Sequence, residues 1–126
     1  MHAHQTTESE KRSVPLEAIE FELALNAENI RQSGFEASVR RALTRSSGSL
    51  LFLMPVSDIP HCQRIAAILA GKGAESQLLL VLLHSDGDSF HIETAEESAL
   101  KPYANVAMSY RNVLERLAGG SEATTH

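Results

Sequence analysis

A single cysteine, Cys62, stands in 126 residues, which excludes an intrachain disulfide framework. Long apolar runs are missing as well. The longest candidate, Leu78 to Leu83, ends at His84, far short of the roughly 20 residues a membrane helix needs. The opening residues, Met1 to Arg12, hold neither an apolar signal core nor a lipidation motif, so a cytoplasmic location is expected and no membrane contact. Positive charge is in deficit, with 11 Lys and Arg against 16 Asp and Glu and a net charge of −5. Such a chain repels phosphate backbones unless its basic residues gather on one surface, so direct nucleic-acid binding is not expected. Internal repeats, paired carboxylates and a Ser-His-Asp arrangement are absent, and "AGKGAES" lacks the spacing of a phosphate loop. No catalytic residue, no metal and no cofactor is therefore expected.

What is present suffices for one core, since 43% of the residues are hydrophobic. The polar ends read as flexible tails over 1–13 and 119–126, bracketing a single globular domain over 14–118. "PLEAIEFELALNAENIRQ" fits both periods: Ile19, Phe21, Leu23 and Leu25 alternate like a strand, while Leu16, Ile19, Leu23, Ala27 and Ile30 share a helical face. Pro15, the early glutamates and the residue types favour the helix. "SGFEASVRRALTRS" predicts a second helix, or a continuation bent at Gly34, with an apolar stripe of Phe35, Val39, Ala42 and Leu43 behind a Ser33/Glu36 capping box. "LLFLMPV" reads as a strand and "IPHCQRIAAILAGKG" as a helix, with Ile65, Ile68 and Leu69 facing inward. "QLLLVLL" is a second strand that Asp86-Gly87 turns into an antiparallel third, pairing His84 with Ser89 and Leu82 with His91. A last helix from Thr94, disturbed by Pro102, runs to a Gly119-Gly120 stop. The expected fold is a small α/β or α+β domain, a single-layer sheet of at least three strands packed against about four helices.

Three places merit chemical scrutiny. "VSDIPHC" would lie at the carboxyl end of a strand, with Cys62 in the first turn of a helix whose dipole lowers a thiol pKa. A thiol enzyme using Ser57 to Cys62 is thus one alternative, although the adjacent His61 is badly placed as a base and Ser57 or Asp58 also reads as a helix cap. In "HSDGDSFH", His84 and His91 fall on one sheet face beside Asp86 and Asp88, yet a hairpin tip offers too few held ligands for a metal. Arg31, Arg40, Arg41 and Arg45 cluster after Glu17, Glu20, Glu22 and Glu28. The alternative there is a helix-turn-helix-like DNA reader, against a solvated basic face or one meeting an acidic partner.

The most specific pattern lies in the last helix. Tyr103, Val106, Tyr110, Val113 and Leu117 step by three and four, the spacing of a seam against another helix, with Met108 and Leu114 on a different face toward the sheet. The seam suits either the core or an interface with a protein partner, a homodimer included, in which the tyrosines would serve as anchors. "SLLFLMPVSD" together with "KPYANVAMSYRNVLERLAGG", on a short acidic chain without a catalytic signature, resembles the small QslA-type anti-activators of LuxR-type quorum-sensing regulators. That resemblance implies a non-enzymatic cytoplasmic α/β protein that binds a transcription regulator and blocks its dimerisation and DNA binding. It transfers no individual residue.

Overall fold

The computed structural model describes residues 16–71 and 76–124, with side chains up to residue 117. The chain forms α1 (Leu16–Asn26), α2 (Ile30–Ser33), α3 (Phe35–Ser46), β1 (Gly48–Pro55), β2 (Cys62–Ala70), β3 (Gln77–His84), β4 (Phe90–Thr94) and α4 (Lys101–Thr124). The strands follow chain order in one antiparallel sheet, β1-β2-β3-β4, and the described residues form an α+β fold of four helices on a four-stranded sheet. α1, α2 and α3 cover one face, where Phe21, Leu25, Val39 and Ala42 meet Ile68, Leu79 and Val81. α4 covers the other, where Ala104 and Ala107 lie over Ile65, Ala67, Leu80 and Leu82. Each fully buried large side chain adds about 1.5–3 kcal/mol of transfer free energy.

The segment expected to be a helix around residues 59–73 is β2. Its central residues, Ile65 to Ile68, are buried without interruption because helices cover both sides of the sheet. Ala66, Ile68 and Ala70 serve the α1/α3 layer while Ile65 and Ala67 serve the α4 layer. A strand buried on both faces loses its polar alternation and mimics a buried helix, and alanines add to the resemblance. β1 is consequently an edge strand joined to β2 by a short connection, so Cys62 opens a strand and no helix follows Pro60.

α1 is a helix, as its residue types favour, but it buries Ala18, Phe21 and Leu25 and turns Leu16, Ile19 and Leu23 to the surface. The inward face is set by Phe21, the largest side chain available, and the helix ends before Ala27 and Ile30 extend the expected stripe. Gly34, at φ 93°, breaks the chain between α2 and α3; Asn29 caps α2 by accepting from the Gln32 N–H, while α3 begins at Gly34 without the side-chain cap expected from Ser33. The expected α3 stripe of Phe35, Val39, Ala42 and Leu43 is buried. Thr94 to Ser98 form turns, with Glu97 N–H bonded to Thr94 C=O, and α4 starts only at Lys101. Pro102 then sits in the first turn, where its missing N–H costs nothing. α4 continues through Gly119 and Gly120 to Thr124, into the segment expected as a tail; the expected tail 1–13 lies outside the described residues.

Candidate functional site

The pairing of β3 with β4 sets the hairpin register as expected: Leu82 faces His91 and the His84 N–H bonds the Ser89 carbonyl at 2.8 Å. The turn itself differs. Five residues, Ser85 to Ser89, lie between the strands, and among them only Gly87 has positive φ, 75°. The Asp86 carboxylate takes the place of a second left-handed residue by accepting from the N–H groups of Asp88 and Ser89 and from the Ser89 hydroxyl, at 2.9, 2.8 and 2.6 Å. These bonds, the Ser89 hydroxyl first, hold the Asp86 carboxyl down at about 2.

The two loops weighed separately in the sequence are neighbours in space, because β2 and β3 pair Cys62 with His84. The Ser85 N–H bonds the His61 carbonyl at 2.9 Å, and the Gln63 amide donates to the carbonyls of His84 and Ser85. On the same sheet face, His84 Nε2 and His91 Nδ1 share a hydrogen bond of 2.9 Å. His91 Nε2–H then donates to Glu93 at 3.0 Å, and the other Glu93 oxygen accepts from the buried Ser98 hydroxyl at 2.6 Å. Ser98 in turn accepts from the Leu100 N–H, so the chain of bonds runs from the hairpin to the start of α4. Both ring nitrogens that meet are occupied by each other, and among the described residues no group of three or more His, Cys, Asp or Glu is placed to hold a metal ion.

Cys62 is buried at the beginning of β2. Burial pushes its thiol pKa up, and the nearby Glu93 charge adds to that, the opposite of the activation a helix N-terminus would supply. Asp58 does not cap a helix: its carboxylate accepts from the Tyr103 hydroxyl at 2.9 Å and ties the β1–β2 connection to α4. That bond raises the Tyr103 pKa, with burial contributing in the same direction.

The arginines are answered by acids. Arg41 and Arg45 flank the nearly buried Glu28 at 2.7 and 3.5 Å, Arg40 bonds Glu36 at 3.1 Å, and Arg31 lies 3.8 Å from Asp88. Each is within ion-pair reach of a carboxylate, which lowers the field a phosphate backbone would meet.

α4 carries the largest apolar exposure. Ala104 and Ala107 face the sheet, while Val106 (48% exposed), Tyr110 (46%), Val113 (47%) and Leu117 (62%) face outward in one stripe. Tyr103 is different from the other members of the seam: it is half-buried and packed on the sheet, at the border between core and stripe. Met108 packs on the sheet, but Leu114 is exposed and widens the stripe. Tyr110 leans on Phe52 of β1 with ring centroids 5.2 Å apart. A second apolar stripe, Leu16, Ile19 and Leu23 on α1, lies on the far side of the molecule among Glu17, Glu20 and Glu22. Its sequence signal was available: α1 is apolar along two opposed faces, and only one of them can be the core.

No helix among the described residues is long and apolar enough to cross a membrane. No family model, no curated protein and no solved structure matches this chain.

Proposed function

We propose that this chain is a non-enzymatic regulatory protein-interaction module, an anti-activator that binds a LuxR-type quorum-sensing transcription regulator in the cytoplasm and blocks its dimerisation and DNA binding. The observation that carries this reading is the outward stripe of α4, Val106, Tyr110, Val113 and Leu117, bordered by Tyr103. Apolar side chains in a contiguous row, among them Tyr110 with its large contact area and polar tip, match the anchors of protein interfaces. An inhibitor that works by occlusion needs such a row, because a regulator's own dimer surface is apolar and can be covered only by a surface of the same kind. The module itself is a homodimer in this reading and uses no cofactor. The paired arginines and the neutral thiol of Cys62 supply no support for the DNA-reading and thiol-enzyme alternatives.

The experiment is affinity purification of the tagged chain from its native cells, with mass spectrometry of what is retained, beside Tyr110→Asp. A stoichiometric transcription regulator retained by the wild type and lost by the variant is the expected result. Tyr110 is half-exposed, so the variant should lose no more than about 1.5 kcal/mol through its aromatic contact and stay folded. Retention of the same regulator by the variant removes the stripe from the interface, and recovery of no regulator overturns the anti-activator reading.

A further inference from the structure

β1 is an uncharged edge. Gly48–Pro55 reads GSLLFLMP and, among the described residues, pairs on one side only, with β2. The Val56 N–H donates to the Gln63 carbonyl at 3.0 Å, so by antiparallel alternation Met54 and Ile65 also form a bonded pair. Leu53, one residue before Met54 and opposite Ala66, falls at the non-bonded position and turns its N–H and C=O away from the sheet. Proteins blunt such edges with charge, shortness or cover. The opposite edge follows that rule, since β4 has five residues and presents His91 and Glu93. β1 has only the irregularity at Leu51 and Pro55 at its end.

The apolar stripe of α4 leans over this same edge, as the contact of Tyr110 with Phe52 shows. Leu114 and Met54 add to the exposed apolar side chains beside this edge, and side chains of this kind are what each partner hides in a stable pair. An extended peptide would pair with β1 and leave the stripe wet. A foreign helix would cover the stripe and leave the strand unpaired. One two-fold operation covers both.

We propose that a second copy of this chain occupies this surface. The two β1 strands pair antiparallel about a two-fold axis, the sheets join into one of eight strands from the four of each copy, and the two α4 stripes pack on each other across the axis. The pair is closed, because the charged, short β4 edges at its two ends do not propagate the sheet. The inference rests on the interaction-module reading in treating Val106 to Leu117 as an interface, and it names the occupant when no regulator is present. Both uses need the same stripe, so self-pairing would set the concentration of free chain available to a regulator.

The test uses the pure full-length chain and no regulator, so its failure is separable from that of regulator capture. Sedimentation equilibrium at micromolar concentration should give twice the 13.7 kDa of one chain. Val113→Glu with Leu117→Glu, both at exposed positions, should weaken self-association by about a hundredfold, roughly tenfold for each charge placed in an apolar contact, with unchanged far-ultraviolet circular dichroism. Amide exchange by NMR should find the Leu53 N–H protected in the wild type and open in the double variant. A wild type that sediments as a monomer, a dimer untouched by the double variant, or a dimer whose Leu53 amide exchanges freely each overturns the proposal. So does a monomer whose Leu53 amide becomes protected only when a regulator is added, which would give the edge to the regulator.

Discussion

Gly48 sits where α3 hands over to β1, and a Cβ there would lie 2.6 Å from the Leu69 carbonyl oxygen and 2.6 Å from the Leu43 side chain. The carbonyl belongs to the β1–β2 ladder and cannot retreat. Gly48→Ala should therefore cost about 1–3 kcal/mol, read as a lower urea midpoint at unchanged m-value. Cys62→Ala should change stability by only about 1 kcal/mol and leave regulator capture intact, as measured in the same pull-down, because the thiol is a small buried group with its pKa pushed up. Loss of function with the fold retained would make Cys62 a functional thiol. Asp86 gives the pH dependence of the hairpin. Its carboxyl is depressed to about 2 in the folded chain against roughly 3.9 when unfolded. Its contribution is therefore fully present above about pH 4 and is lost as pH falls through about 2. The Ser89 amide shift should titrate with that midpoint, and Asp86→Ala should remove the titration.

α1 and β2 show how neighbours decide what an element is. In α1 the apolar residues at 16, 19 and 23 are as regularly spaced as those at 18, 21 and 25, so periodicity identifies a helix without saying which side is inward. Packing against α3 and the sheet resolves it in favour of Phe21. Glu28, just past α1, holds that packing in place by taking Arg41 and Arg45 of α3 while nearly buried itself. Glu28→Ala should cost about 1–2 kcal/mol, seen in the urea midpoint, while Glu36→Ala, which removes one exposed pair, should cost less than about 0.5 kcal/mol. In β2 the sequence offers alanines and an i, i+3, i+4 set of aliphatics, all compatible with a helix. What makes it a strand is cover on both faces, which removes the polar alternation that marks a strand at a surface. The strand β3 is equally apolar but was legible, because its apolar run is too short for a helix and the Asp-Gly turn follows within reach.

For the molecule as a unit, the consequence of that one reassignment is large. With β2 a strand, β1 stands at an edge, the loop at Ser57 to Cys62 becomes a hairpin connection, and the crevice argument for a ligand there lapses. The same pairing brings that loop against the β3–β4 hairpin, a proximity 21 residues of separation conceal. Among the described residues one face of the sheet is covered by three helices and the other by α4 alone, so α4 has a side for the core and a side left over.

The composition and spacing of the chain were enough for a small domain of helices on a sheet, the α3 stripe and the β3–β4 register, because each of these depends on contacts between residues close in sequence or on periodicity along one element. Which face of α1 is buried, which segment supplies the second strand and which strand stands at the edge depend on contacts between distant segments. Those contacts compete for the same apolar side chains, and the competition is settled by volume and cover in three dimensions, where a leucine that fits the pattern loses to a phenylalanine that fills the space.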